Sequence, residues 1–160
     1  MIERLFTTGV FGKTENQFFR ELLEARIHTF CDIRRRRGVR GSQYSFVNST
    51  RLQHLLAERS IAYRYFQELA PTKEIREAQH AIDAQQGVPK RMRQELGEEF
   101  KNRYVEGILS HFDSKRFAQG FDPNVSSIVL FCVEGNPKAC HRSLLAERLR
   151  QDWGIPLEHL

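Results

Sequence analysis

The chain predicts an α/β fold: a mostly parallel central sheet, flanking helices and a helical insertion before the later strands. Three observations carry this. Short apolar runs at 4–8, 27–33, 61–66 and 127–133 have strand length and composition. Amphipathic stretches of helical period lie between them. Strand and helix alternate along the chain, which favours parallel pairing through helical crossovers. At 160 residues the chain is read as a single domain, 1–160, with the insertion at about 70–120.

The first strand, Arg4 to Thr8, is stopped by Gly9. Thr14 and Gln17 have capping-box spacing, in which Thr14 accepts from the Gln17 amide and the Gln17 side chain reaches back. Phe18, Phe19, Leu22 and Leu23 then form pairs four residues apart, so a helix is expected over about 14–25. Ile27 to Ile33 is the second strand, and Asp32 comes as its apolar run gives out. After the arginine loop, Asn48 or Ser49 can cap a helix that carries Leu52, Leu55 and Leu56 on one face. A third strand is expected at 61–66.

From Pro71 to about Phe117 the period is helical. Ile75, Ala78 and Ile82 form one stripe, broken at Gly87-Val88-Pro89. Met92, Leu96, Phe100 and Tyr104 continue it, followed by Val105, Ile108, Leu109 and Phe112. Such an aromatic stripe is more often core than ligand platform. The segment is longer than one crossover needs, which makes it a lid over a site or a partner surface. After the loop at Asp122-Pro123-Asn124, Ile128 to Val133 is an unbroken apolar run suited to a buried strand. Gly135-Asn136-Pro137 turns the chain toward Cys140-His141-Arg142. A helix over about 142–153 carries Leu145, Leu149 and Trp153 and ends at Gly154, with Pro156 beyond. Leu157 to Leu160 has the makings of a short last strand.

Composition excludes several classes. The longest apolar run has six residues, far below a membrane span, and Met1-Ile2-Glu3-Arg4 lacks the pattern of a signal peptide. The expectation is a cytoplasmic protein with no membrane partner. Cys31, Cys132 and Cys140 are too few for a disulfide scaffold, and their spacing matches no zinc motif. No metal ligand set is expected on that ground, and no pattern names a cofactor. The net charge is +5, and Arg34, Arg35, Arg36, Arg37 and Arg40 place five positive charges within seven residues. A concentrated patch of this kind favours a phosphate-bearing small molecule or nucleic acid. The plainer account is a solvated basic loop.

In a parallel sheet the ligand crevice lies beyond the carboxyl ends of the strands. That rule collects Thr8 and Gly9, Asp32 and Arg34, Cys132 and Glu134, and Cys140, His141 and Arg142 on one edge. At this point the chain resembles the family catalogued as domain of unknown function 488. The likeness runs nearly the whole length. It rests on Thr8-Gly9, on DIRRRRGVRGSQYSF from Asp32 to Phe46, on CVEGNPKACHRSLLA from Cys132 to Ala146, and on the closing Glu158-His159-Leu160. Many members carry His-Ser after the first-strand glycine, where this chain has Val10 and Phe11. The resemblance implies an α/β fold and a site built from these motifs, and no chemistry.

Three functional readings follow from the residues. In the first, a phosphate-recognising protein acts on a nucleotide or nucleic acid as a hydrolase or transferase. Asp32, Glu134 and His141 are its acid–base or orienting groups. Arg34, Arg142 and the Arg35-Arg36-Arg37 loop hold the anion, Ser143 adds a hydroxyl at a helix N-terminus, and Tyr44 stacks or hydrogen-bonds. Against this, Arg142 could pair with Asp32 or Glu134 and only tie loops together, and His141 could cap or pack. The second reading is a non-catalytic nucleic-acid or nucleotide-binding module. The third is a thiol-dependent enzyme using Cys140, which lies just before a helix beside His141 and Arg142. The phosphatase spacing of cysteine and arginine is absent, since Lys138 and Ala146 stand where arginine would follow Cys132 and Cys140. A metal site on Cys132, Glu134, Cys140 and His141 is the least favoured arrangement.

Overall fold

The computed structural model describes residues 1–160. Five strands, β1 (Arg4–Thr8), β2 (Thr29–Asp32), β3 (Ala62–Tyr65), β4 (Ser127–Phe131) and β5 (Leu157–His159), form one sheet in the order β3-β2-β4-β1-β5. Every pairing is parallel. The central β4 is buried at all five positions, as a continuous apolar run demands of a strand covered on both faces.

Six helices cover the sheet: α1 (Glu15–Glu24), α2 (Ser49–Ala57), α3 (Lys73–Gln86), α4 (Glu98–Gly107), α5 (Ser114–Gln119) and α6 (His141–Trp153). Side-chain alternation along the strands sorts two cores. Phe6, Phe30, Val129 and Phe131 pack toward α1 and α2 with Phe18, Leu22 and Leu52. Leu5, Cys31, Ile128 and Leu130 pack toward the other helices with Phe100, Tyr104 and Leu149. No helix is long and apolar enough to cross a membrane.

Local details refine the expected elements. Thr14 caps α1 by accepting from the Gln17 amide at 3.1 Å. The Gln17 side chain does not reach back: it donates to Glu21 Oε1 at 3.0 Å, one turn on, so half the capping box forms. Asn48 precedes α2, yet its side chain does not cap the helix. Its Oδ1 accepts instead from the Val39 amide, and the Ser49 amide donates to Arg37 O at 3.0 Å. These bonds tie the arginine loop to the start of α2.

The insertion breaks where expected, with left-handed Gly87 ending α3. The stripe through Met92 does not hold. Met92 lies in a short 3-10 turn at Lys90–Met92 and is 64% exposed, while Leu96, Phe100 and Tyr104 are buried. The turn shifts the helical phase between Met92 and Leu96, so an unbroken period cannot be carried across it. Residues 71–100 fold back over the carboxyl edge of the sheet, anchored by the Leu96 amide on Lys138 O at 3.0 Å.

Candidate functional site

β2 and β4 are neighbours, but the chain leaves them in opposite directions: from β2 toward β3 at one edge, from β4 toward β5 at the other. A crevice opens at such a switch point. Here it is a cavity of about 310 Å³, floored by the segments after β2 and β4 and covered by residues from 71–100.

On the β2 side Asp32 is fully buried and saturated with donors. Arg34 gives it Nε at 2.9 Å and Nη2 at 2.7 Å, the Arg34 amide adds 3.2 Å, and Tyr63 Oη adds 2.8 Å. A carboxylate has about four acceptor positions, so Asp32 acts as the holder of Arg34. Arg34 is buried with its guanidinium 4.7 Å from the Phe131 ring centroid. Its Nη1 is buried and has no partner.

On the β4 side the chain is pinned through its backbone. The Cys132 amide donates to Thr8 O at 3.3 Å, and the Val10 and Phe11 amides both donate to Val133 O at 3.1 Å. Gly9 lies so close that a Cβ there would stand 1.9 Å from Glu134 O. Arg142, 1% exposed, donates through Nη1 to Glu134 O at 2.5 Å and through Nη2 to Gly135 O at 3.0 Å. These bonds tie the loop after β4, as one of the expected roles had it but through main chain, and the buried Nε of Arg142 has no partner. Two of its donors fix main-chain carbonyls, with no carboxylate partner.

The turn into α6 sets the thiols and the imidazole. His141 Nε2 lies 3.1 Å from Ile33 O. A carbonyl only accepts, so Nε2 carries a proton, and in the neutral ring the lone pair is on Nδ1. That lone pair faces Cys140 Sγ at 3.7 Å. Burial pushes the Cys140 thiol up, but its hydrogen bond with Cys132, the Arg142 charge and the Arg142 amide outweigh this and bring it down to about 7. Cys132 is pushed up to about 12 by that same hydrogen bond and by burial. The two thiols are thus shifted in opposite directions, with Cys140 the more acidic of the pair. Glu134 is raised above the usual carboxylate range, chiefly by burial, with Lys90 Nζ at 3.3 Å partly offsetting it.

Of the residues singled out in the sequence, Arg34, Arg35, Arg36, Cys132, Glu134, Cys140 and His141 line the cavity. Asp32, Gly9 and Arg142 stand behind that lining and hold it. Thr8 accepts from Lys13 Nζ at 3.2 Å, and Ser143 donates to Cys140 O at 2.9 Å; neither lines the cavity. Arg37 turns away onto the Tyr65 ring, 4.2 Å from its centroid. Tyr44 is a core residue whose hydroxyl accepts from the Gly12 amide at 2.9 Å.

Sequence reasoning offered this segment as a lid or a partner surface but named none of its basic residues that line the cavity. Arg76, His80, Lys90 and Arg93 all reach the cavity. The signal available was Lys90-Arg91-Met92-Arg93, a second basic cluster just after the helix break. Arg93 is held by Asp83 through Nε at 3.0 Å and also through Nη2. Asp83 in turn accepts from Gln79 at 2.8 Å. Arg76 keeps a buried Nε without a partner.

No curated protein and no solved structure matches the chain. A family model, Domain of unknown function DUF488, matches residues 14–149, a span that includes the arginine loop, the whole cover and the Cys132 to His141 turn, and the chain belongs to that family.

Proposed function

We propose that the cavity recognises a small phosphate-class anion of up to about nucleotide size. One observation carries the reading: Arg34 is clamped on Asp32 by a two-pronged bond and still keeps a buried, unpartnered Nη1 while lining the cavity. Desolvating a guanidinium nitrogen without a partner is costly, so a ligand oxygen is its natural complement. The surroundings agree. Arg34, Arg35, Arg36, Arg76, Lys90 and Arg93 line the same space, against the single carboxylate of Glu134.

A cavity of about 310 Å³, partly open to solvent, suits a small molecule better than a polymer. Arg35 and Arg36 line the cavity, and only Arg37 and Arg40 of the arginine loop lie off it. Cys140 and His141 at the floor support a second reading, thiol-dependent chemistry on the bound anion, because Cys140 ionises near neutrality and faces the free imidazole nitrogen.

Calorimetry with inorganic phosphate, pyrophosphate and nucleoside monophosphates at moderate salt tests the first reading. Binding is expected, and Arg34→Lys should weaken it ~10-fold or more, a loss of ~1.4 kcal/mol or above, since lysine cannot span Asp32 and a ligand together. No binding by any of the three probes sinks the proposal. Binding of a single-stranded oligonucleotide with steep salt dependence, abolished by Arg37→Ala with Arg40→Ala, would put the binding-module reading in its place.

A further inference from the structure

We infer that Cys132, Cys140 and His141 form a site for a thiophilic divalent cation of the zinc class. Their donor atoms lie within 4.8 Å of one another, although seven residues of chain separate the two cysteines. All three residues are buried and all three line the cavity.

Geometry gives the first support. Zinc bonds of about 2.3 Å to sulfur and 2.0–2.1 Å to nitrogen, set tetrahedrally, put ligand atoms about 3.5–3.8 Å apart. Cys140 Sγ and His141 Nδ1 stand 3.7 Å apart. The 4.8 Å limit on the cluster means that the remaining edges need contract by no more than about 1 Å to reach that range.

Tautomer gives the second. Metal-binding histidines characteristically donate their other ring N–H to a carbonyl or carboxylate, which fixes ring and lone pair. His141 does this through Nε2 to Ile33 O at 3.1 Å, leaving Nδ1 directed at the sulfurs. The Tyr104 ring, 5.5 Å away between centroids, packs against the imidazole.

Charge gives the third. Six cationic side chains line the cavity, so a bare divalent ion would be repelled. Two thiolates cancel its charge and leave the pocket still suited to an anion. The protons of the two thiols leave to solvent on binding, and no redox change is involved. Glu134 pairs with Lys90 and is outside the ligand set. With three protein ligands the ion keeps a position for water or an anion, the arrangement of reactive rather than purely structural zinc.

The test uses untagged full chain with zinc and cobalt as probes. Near-equimolar zinc should survive gel filtration. Cobalt should give intense thiolate-to-metal charge-transfer bands, displaced by zinc. Cys132→Ser and Cys140→Ser, checked for fold by circular dichroism, should weaken zinc at least ~100-fold. Bound zinc should also block alkylation of both thiols in the wild-type chain. Cobalt bound without charge transfer, or thiols that stay fully titratable at saturating zinc, overturns the inference. Phosphate calorimetry on the metal-free chain is read separately, so failure of the metal site and failure of the anion site are distinguishable.

Discussion

The floor and the cover of the cavity reach the same ligand space by opposite constructions. The floor, residues 32–34 with 132–142, is built from buried polar side chains: Arg34 is held on the Asp32 carboxylate, and the others bond to main-chain carbonyls of the segments just after β2 and β4. Arg142 grips two carbonyls, His141 a third, and Gly9 lets the backbones touch. The cover, residues 71–100, reaches the cavity through long charged side chains held mostly by one another, as in the Gln79–Asp83–Arg93 chain. Anchoring on main chain should hold the floor in one arrangement, and anchoring mostly between side chains should let the cover open without breaking the sheet. For the proposed anion site, this difference in anchoring predicts a cover that opens more easily than the floor beneath it.

The sharpest attack on the floor is Gly9→Ala. A Cβ 1.9 Å from Glu134 O meets main chain pinned by Arg142, so no side chain can move to relieve it. The cost should be about 3 kcal/mol or more, at the upper end for overpacking. For a chain of this size that is ~6–12 °C in Tm, and phosphate affinity should fall with it. A thermal melt within a degree of wild type would show that the floor yields as readily as the cover.

This contrast also explains what can be read from residue order. Floor residues follow strand ends, and a parallel sheet brings all its strand ends to one edge. Residue order alone therefore brings Asp32, Arg34, Cys132, Glu134, Cys140 and His141 together. Their individual partners are less legible. Arg142 binds backbone carbonyls, which every residue carries, so nothing in the side-chain sequence marks them. Tyr44 follows an arginine loop and resembles a ligand platform, yet its hydroxyl is taken by the Gly12 amide and its ring by Phe11 and Phe46. Cover residues are invisible for another reason. Arg76 and His80 occupy the polar positions of an amphipathic helix, where a solvated face and a pocket wall have the same pattern. Only the fold-back after Gly87 turns that face inward.

Loosening the cover should cost less. Asp83→Asn leaves the Arg93 guanidinium without its carboxylate, while Gln79 still holds the Gly97 amide at 2.8 Å. A loss of about 2 kcal/mol is expected, within the range for hydrogen bonds to charged groups. It should appear locally: faster hydrogen exchange and proteolysis over residues 87–97, with β1, β2 and β4 unchanged. Acid should produce the same opening in the wild type. Burial opposes ionisation of Asp83, but Arg93 and Gln79 prevail and lower its pKa. Stability from such a group is present above its unfolded value and lost as pH falls through the folded one. Exchange that speeds equally in the strands would make cover and floor a single cooperative unit.

The smallest effect is expected at the seam, where Glu134 of the floor meets Lys90 of the cover at 3.3 Å. Glu134 is shifted opposite to Asp83: burial raises it, and Lys90 offsets only part of that. A carboxyl raised in the folded state contributes stability below its unfolded value, and that contribution is lost as pH rises through the folded value. Glu134→Gln keeps the shape and removes the titration, and Arg142 still holds the residue 134 carbonyl. The variant should therefore match wild type in mild acid and exceed it by a few degrees at most in Tm at neutral pH. Denaturation across that pH interval decides the matter. A Glu134→Gln variant less stable than wild type at neutral pH would mean that the Lys90 pair more than offsets the burial of the carboxylate. The seam would then be a latch between floor and cover, and the cover would be less free to move than its side-chain anchoring suggests.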